Sequence, residues 1–115
     1  MLFRSTPIAP ALDMRVKKYG RTTGLTTGRI TAINATVIVG YGSGYARFVN
    51  QIMIGPGSFS AGGDSGSLIV LDGKRQNKAD DRRPVALLFA GSSSVTVATP
   101  IGAVLSAFNV TIDGE

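Results

Sequence analysis

The stretch FSAGGDSGSLIV, residues 59–70, decides how this sequence folds and raises its main functional question. It presents Ser65 in a glycine-rich loop, directly before the apolar run LIV. A serine hydroxyl is a poor nucleophile at neutral pH. It needs a neighbouring base, and it needs hydrogen-bond donors for the oxyanion that forms when it attacks a carbonyl. The loop can offer such donors, yet the sequence contains no histidine to act as the base.

The glycines of this loop are suited to making the donors. Gly63 can adopt backbone angles closed to other residues, so its N–H can turn inward, and the N–H of Ser65 can point the same way. Two such donors form an oxyanion hole, and each donor lowers the activation free energy of the reaction by roughly 3 kcal/mol. The alternative is that Gly-Gly-Asp-Ser-Gly is only a tight turn. The apolar strand that follows it, and a second apolar run VALLFAG at 85–91, favour the functional interpretation.

Outward from the loop, the sequence alternates short apolar runs with turn residues, which is typical of an all-β chain. Two β-branched runs, 30–33 and 36–39, predict a hairpin that turns at Asn34-Ala35, although Asn-Ala is a weaker turn signal than Asn-Gly. Apolar spacing after Pro100 predicts a terminal helix over 100–108. Six or seven short strands fit a small closed barrel or a sandwich. The other predicted strands cover 13–19, 45–54, 67–71, 84–91 and 94–99.

The composition describes one small folded domain, with 115 residues of which 43% are hydrophobic. Residues 1–12, with two prolines, are interpreted as a lead-in or linker remnant, and 13–115 as the domain. Without cysteine or histidine, a zinc site could use only carboxylates, so neither a metal nor an organic cofactor is expected. No apolar segment approaches the ~20 residues of a membrane span, so no membrane partner is expected.

The net charge of +5 raises the question of a polyanionic partner. The basic residues that form groups are Arg15, Lys17, Lys18 and Arg21, and then Lys74, Arg75, Lys78, Arg82 and Arg83. Asp72, Asp80 and Asp81 are interleaved with the second group, which favours a solvated loop over a polyanion patch. No aromatic residues lie among these charges to stack on bases, so nucleic acid is not expected as a partner.

With these motifs in view, the sequence resembles the C-terminal half of a trypsin-like (chymotrypsin-fold) serine protease, over roughly residues 15–110. That family has two six-stranded barrels with the active site between them, and its second barrel carries the nucleophile in GDSGG, where this chain has GDSGS at 63–67. The resemblance implies a single six-stranded antiparallel Greek-key barrel with a C-terminal helix. It also implies a peptide or protein substrate.

The resemblance assigns roles to individual residues. Ser65 matches the nucleophile, and the N–H groups of Gly63 and Ser65 match the oxyanion hole. Asp64 matches the buried aspartate that braces the loop. The run LFAG at 88–91 resembles the strand that pairs with the substrate backbone, and its glycine stands where the family usually leaves the specificity pocket open. The residues of this run that the resemblance assigns to substrate binding are Phe89, Ala90 and Gly91.

Several positions depart from the family pattern. The second glycine after the nucleophile is Ser67. The position where trypsin carries its specificity aspartate, six residues before Ser65, is Phe59. The resemblance therefore places Phe59 among the substrate-binding residues and does not support a preference for Lys or Arg. The barrel that supplies the family's histidine and aspartate has no counterpart in this sequence. Lysine replaces histidine in some serine hydrolases, but the four candidates lie in segments predicted to be surface: Lys17, Lys18, Lys74 and Lys78.

Three hypotheses about function follow. The first is the nucleophile-bearing barrel of a serine endopeptidase, inactive alone and completed by a first barrel in cis or in trans. The second is a pseudo-enzyme barrel that serves binding or self-assembly, for example as a homodimer, through the face that a first barrel would cover. The third is an unrelated small barrel that binds nucleic acid through its charge, which no recognised motif supports.

Overall fold

The computed structural model of the chain describes residues 6–73, 78–91 and 94–108. A short 3-10 helix, Gly57–Phe59, precedes the loop that carries Ser65. The strands and the helix are β1 Arg15–Gly20, β2 Gly24–Tyr41, β3 Gly44–Gly55, β4 Leu68–Leu71, β5 Pro84–Gly91, β6 Thr96–Pro100 and α1 Ile101–Phe108.

The six strands form one closed antiparallel barrel in the order β1-β2-β3-β6-β5-β4, with β4 pairing back to β1. Consecutive strands pair with each other from β1 to β3. The chain then crosses to β4 on the far side of β1, and β5 and β6 return to close against β3. This is a Greek-key arrangement. The predicted all-β barrel with a C-terminal helix is confirmed, with α1 beginning one residue after Pro100, which ends β6.

The predicted hairpin at Asn34-Ala35 is wrong. Residues 24–41 form one long strand, β2, which runs through both β-branched segments and pairs with β3 along its length. The pairing register shifts around Ala32 and Ala35, and Asn34 between them has φ 54°. Asparagine tolerates this left-handed conformation. It therefore forms a bulge that bends the strand without turning it back.

The barrel interior follows the two-residue alternation of its strands. On β1, Val16 and Lys18 point inward, and on β3 Ile52 and Ile54 do the same. The buried cluster that fills the barrel is aliphatic apart from one ring, and this burial is the main favourable contribution to folding. Its members are Val16, Ile30, Ile52, Ile54, Phe59, Ile69, Leu71, Val85, Ala86, Leu88 and Ala98.

The segment before β1 packs along the barrel. Ile8 donates its N–H to the carbonyl of Pro84 at 2.9 Å, and its side chain and that of Met14 lie against the core. The guanidinium of Arg83 donates to the carbonyls of Thr6 at 3.1 Å and Pro7 at 2.7 Å. These contacts attach the segment at the end of the barrel where β5 begins. The division of the chain after residue 12 stays a prediction.

Much of the second basic group is engaged in ion pairs. Arg83 contacts Asp80 at 2.7 Å, and Arg82 lies 3.7 Å from Asp81. The same Asp81 accepts a hydrogen bond from Lys17 at 2.8 Å. This part of the loop is a compensated charge network, while Lys74 and Arg75 lie outside the described residues. Among the helices that the structure describes, none is long and apolar enough to cross a membrane.

Candidate active site

The loop that carries Ser65 joins the 3-10 helix to β4, and two short turns give it its shape. Asp64 donates its N–H to the carbonyl of Ala61 at 3.1 Å, and Ser67 donates to the carbonyl of Asp64 at 3.0 Å. Gly63 has φ 96° and Gly66 has φ 86°, in the left-handed region that favours glycine. A Cβ at Gly63 would also clash with the hydroxyl of Thr22. The two glycines flanking the Asp-Ser pair are therefore required by the backbone.

Asp64 anchors the loop from inside the barrel end, and its side chain is fully buried. Its carboxylate accepts the N–H groups of Thr22 at 2.7 Å, Ala61 at 2.9 Å and Thr23 at 3.3 Å. The Thr23 hydroxyl donates to it as well, at 2.7 Å. Burial alone would raise the pKa of Asp64, but these donors outweigh it and hold the pKa far below its ordinary range. The carboxylate therefore stays charged.

Lys18 supplies the buried counter-ion. Its ammonium lies 3.5 Å from the Asp64 carboxylate, and both side chains are completely buried. It donates to the Thr23 hydroxyl at 2.6 Å, which in turn donates to Asp64, and it lies 5.3 Å from the centroid of the Phe59 ring. Gly20 leaves the space, since a Cβ there would lie 2.7 Å from the ammonium. Lys18 was predicted to be at the surface, and that prediction is wrong.

Ser65 is exposed to solvent, next to the buried pair of Asp64 and Lys18. Its hydroxyl donates to the carbonyl of Phe89 at 3.4 Å. Within the described residues, no basic side chain lies within hydrogen-bonding distance of this hydroxyl. The lysine alternative is not supported for Lys17 and Lys18, because their ammonium groups pair with Asp81 and Asp64 and not with the Ser65 hydroxyl. Lys78 is described and exposed, and Lys74 lies outside the described residues.

The N–H groups of Gly63 and Ser65 are available as hydrogen-bond donors. In the part of the chain that the structure describes, no group accepts a hydrogen bond from the N–H of Gly63 or of Ser65. Free donors next to an exposed hydroxyl are what an oxyanion hole requires. Among the same residues, no group of three or more acidic side chains is close enough to hold a metal ion.

Strand β5 runs beside the loop and is tied to it. Gly66 donates to the carbonyl of Leu88 at 2.8 Å, and Leu88 donates back to Ser67 at 3.0 Å. The register of β5 against β6 shifts between Leu88 and Ala90, so Phe89 lies at a bulge. Its ring packs against Phe48, with centroids 4.6 Å apart. The structure thus brings the run Phe89–Gly91 next to Ser65.

The end of this run faces a buried pair of hydroxyls. Ser60 and Thr96 lie 2.5 Å apart through their side-chain oxygens. A Cβ at Gly91 would lie only 2.7 Å from the Ser60 oxygen, so glycine is needed there and the space beside it is narrow. Phe59 is fully buried in the core beneath the loop, and its contact with substrate stays a prediction. The sequence analysis overlooked Ser60, Thr96, Thr22 and Thr23 as parts of this site.

A family model described as the Nal1 C-terminal domain matches residues 3–102. A search of curated proteins finds no match.

Solved structures share the fold. A glutamic acid-specific serine protease has 26% identity and a TM-score of 0.72, with 97% of this chain and 55% of that chain covered. Chymotrypsin of Cellulomonas bogoriensis has 22% identity and a TM-score of 0.71, with 96% and 55% covered. Protease A of Thermobifida fusca has 22% identity and a TM-score of 0.70, with 97% of this chain and 56% of that chain covered. The chain spans about half the length of these neighbours, and the predicted resemblance to one barrel of a chymotrypsin-fold protease is confirmed.

Proposed function

Because this chain belongs to the Nal1 C-terminal domain family and folds as one barrel of a chymotrypsin-like protease, we propose that it carries the nucleophile of a serine endopeptidase. In this proposal Ser65 is the nucleophile, and the N–H groups of Gly63 and Ser65 form the oxyanion hole. Asp64 braces the loop. The base comes from outside these 115 residues, in cis or in trans, because the sequence has no histidine.

One observation carries the proposal. An exposed serine hydroxyl lies between two glycines in the left-handed region, on a loop whose aspartate is buried and held by four donors. A simple turn between strands has no need of a buried charge beneath it, because desolvating a carboxylate costs several kcal/mol before its partners compensate. That cost is understandable where a loop must hold one conformation for catalysis.

The chemistry would proceed in the following way. Once a base accepts the hydroxyl proton, the Ser65 oxygen bonds to the carbonyl carbon of a peptide and the carbonyl π electrons move to its oxygen. The N–H groups of Gly63 and Ser65 donate to that oxyanion, each worth roughly 3 kcal/mol of barrier. The proton then passes to the leaving amine as the C–N bond breaks, and water later hydrolyses the acyl-enzyme. Residues 89–91 would pair with the substrate backbone.

The surroundings of Gly91 bear on the substrate class within this proposal. Among the described residues, the three atoms nearest a Cβ at Gly91 are the hydroxyl oxygens of Ser60 and Thr96 and the carbonyl oxygen of Val95, and none of them is a carboxylate oxygen that would favour Lys or Arg before the scissile bond. The narrow space there favours a small side chain. Without a base, the chain would keep only the contributions of substrate binding and the oxyanion hole. In serine proteases that lose a triad residue, these contributions leave a rate enhancement of roughly 10³ to 10⁴ over the reaction in water.

A fluorophosphonate probe tests the proposal. The native protein from its source cells is labelled with the probe, and the modified residue is located by mass spectrometry. The same experiment is then repeated after a histidine-bearing first barrel is added to this chain. We expect labelling at Ser65 that Ser65→Ala abolishes and that Ser58→Ala, a change at a nearby exposed serine, leaves intact. Equal labelling of the wild type and Ser65→Ala in a folded two-barrel form would reject the proposal.

A second candidate function is a binding or self-assembling barrel that performs no catalysis. The observation in its favour is apolar exposure along β2 and β3, where Ile38 is 65%, Tyr45 84% and Val49 52% exposed. Such exposed apolar groups are typical of an interaction surface. This function predicts a dimer at micromolar concentration that Tyr45→Ser weakens. A monomer by light scattering at that concentration would exclude self-assembly.

A further inference from the structure

A pair of arginines lies on the outer face of the barrel, away from the nucleophile loop. Arg15 of β1 and Arg29 of β2 are direct cross-strand partners and both are exposed. Gly20 and Gly24, at the other end of the same strand pair, adjoin the turn that holds Asp64. Five residue steps along the extended strand separate Arg15 from Gly20, roughly 16 Å. The pair is therefore independent of the candidate active site.

This pairing is unfavourable in the free protein. Like charges directly opposite each other on antiparallel strands destabilise the sheet. The ion pairs formed by described residues engage Lys17, Lys18, Arg82 and Arg83, and none of them includes Arg15 or Arg29. Two guanidinium groups that form no ion pair among the described residues are a suitable site for carboxylates, and each guanidinium can bind a carboxylate in a bidentate manner.

The two arginines also line a groove. Two cavities of about 560 and 480 Å³ adjoin each other and share Arg15, Arg29 and Asp72 in their walls. Among the described ion pairs, the Asp72 carboxylate pairs with Lys17 at 3.6 Å and with neither arginine. The larger cavity adds apolar surface, including Leu12, whose side chain is 56% exposed. The groove thus combines positive charge with an apolar wall.

We propose that this groove binds an extended acidic peptide segment, with carboxylates at Arg15 and Arg29 and an apolar side chain against Leu12. Charge complementarity identifies the occupant. A nucleic acid fits less well, because the described residues that line the two cavities include no aromatic ring for base stacking. The carboxylates of Asp13 and Asp72 in the wall also repel a continuous phosphate backbone. A peptide can place its charges at the arginines and keep them away from the aspartates.

The test measures the anisotropy of a dye-labelled peptide, Leu-Gly-Glu-Gly-Glu, on the full chain. Alternate residues of an extended chain share a face about 7 Å apart, so the leucine and both glutamates can meet one surface. We expect Arg15→Gln and Arg29→Gln each to weaken binding of this peptide about tenfold. The uncharged control peptide Leu-Gly-Gln-Gly-Gln, the glutamine twin, should bind the wild-type chain at least tenfold more weakly than the glutamate peptide does. Arg47→Gln, at an exposed arginine on β3, should leave affinity unchanged, and Asp13→Asn should strengthen it.

The outcomes separate this inference from its alternatives. Binding of the glutamine twin within twofold of the glutamate peptide, or equal losses for Arg47→Gln and Arg29→Gln, would overturn the proposal. Tighter binding of an oligonucleotide of equal charge, lost in the same two variants, would overturn the peptide in favour of a polyanion. The Ser65→Ala variant should bind the peptide like the wild type, so failure of the catalytic proposal leaves this one standing. Because both arginines are exposed, their variants should retain the wild-type Tm or exceed it.

Discussion

Lys17 and Lys18 are neighbours on β1, yet they point to opposite sides of the barrel wall and serve two different loops. Lys18 points inward, is completely buried and faces Asp64 beneath the loop of Ser65. Lys17 points outward, with 11% of its side chain exposed, and holds Asp81 at 2.8 Å and Asp72 at 3.6 Å on the loop before β5. One strand therefore anchors both loops through adjacent cations.

The surroundings of the two aspartates differ in a way that matters for function. Asp64 is completely buried and accepts four hydrogen bonds besides facing Lys18, whereas Asp81 retains 17% exposure. A buried charge that loses its partners is left uncompensated, while a partly exposed one can turn to water. The inner pair should therefore fix a single loop conformation, and the outer pair should mainly attach a loop.

Removing the inner aspartate should have the largest effect. Asp64→Ala leaves Lys18 buried without a counter-ion and removes the acceptor for three backbone N–H groups, so we expect a loss of about 3–5 kcal/mol in the free energy of unfolding. Urea denaturation measures it. The control is Asp72→Ala, because Asp72 is also partly exposed and its loss should lower the free energy of unfolding by less than about 1 kcal/mol. If Asp64→Ala does not fold, Asp64→Asn should give an intermediate loss. A loss as small as that of the control would contradict the anchoring role.

Lys18→Met should cost less than the loss of Asp64, about 2 kcal/mol, because the carboxylate keeps its four hydrogen bonds. Methionine also fills a similar volume against the Phe59 ring. A double-mutant cycle with Asp64→Asn checks the cause, with an expected coupling above about 1 kcal/mol for residues in one network. Additive effects of the two changes would mean that the ion pair contributes no coupling.

The charge of Lys18 is also where sequence analysis failed, for an instructive reason. Composition places a lysine at the surface, and the partner that allows its burial lies on a loop far along the chain. The alternation Val16, Lys18, Gly20 did contain the signal, since it places Lys18 on the core face. Asn34 shows the same kind of failure, because a left-handed asparagine fits a turn or a bulge equally well. Only the pairing of β2 with β3 decides between them.

Other features were predictable because they are local. The barrel follows from short alternating runs separated by turn residues, and the loop of Ser65 follows from the glycines around Asp64 and Ser65. The Ser60–Thr96 contact joins two segments that no local pattern connects. Phe59 was assigned to substrate contact because of its distance in sequence from Ser65. Sequence distance does not reveal which way a side chain points, and this ring lies in the core.

Breaking the outer pair should have a smaller effect. Lys17→Met leaves Asp81 with the N–H of Gly73 at 2.9 Å and with access to water, so we expect a loss of about 1 kcal/mol in the free energy of unfolding. The loss should shrink at high salt, because partly exposed charges are screened. Thermal unfolding at two salt concentrations measures it. A salt-independent loss of about 3 kcal/mol would show that this pair behaves like the buried one.

The smallest expected effect is the acid dependence that Asp81 adds. Burial would raise the pKa of Asp81, but the hydrogen bonds from Lys17 and Gly73 lower it below the ordinary 3.8. The unfolded chain therefore binds the proton first, so this stabilisation is fully present above about pH 5 and is lost as the pH falls through the folded-state pKa.

Urea denaturation between about pH 5 and pH 2 tests this difference between the two aspartates. The stability advantage of wild type over Asp81→Asn should decline with acidification by less than about 1 kcal/mol, since the site is partly exposed. The advantage over Asp64→Asn should persist to lower pH, because four donors and burial with Lys18 hold that pKa further down. If both advantages declined together, the two loops would titrate alike. If they separate, the loop of Ser65 keeps its buried charge in acid after the outer loop has lost its own.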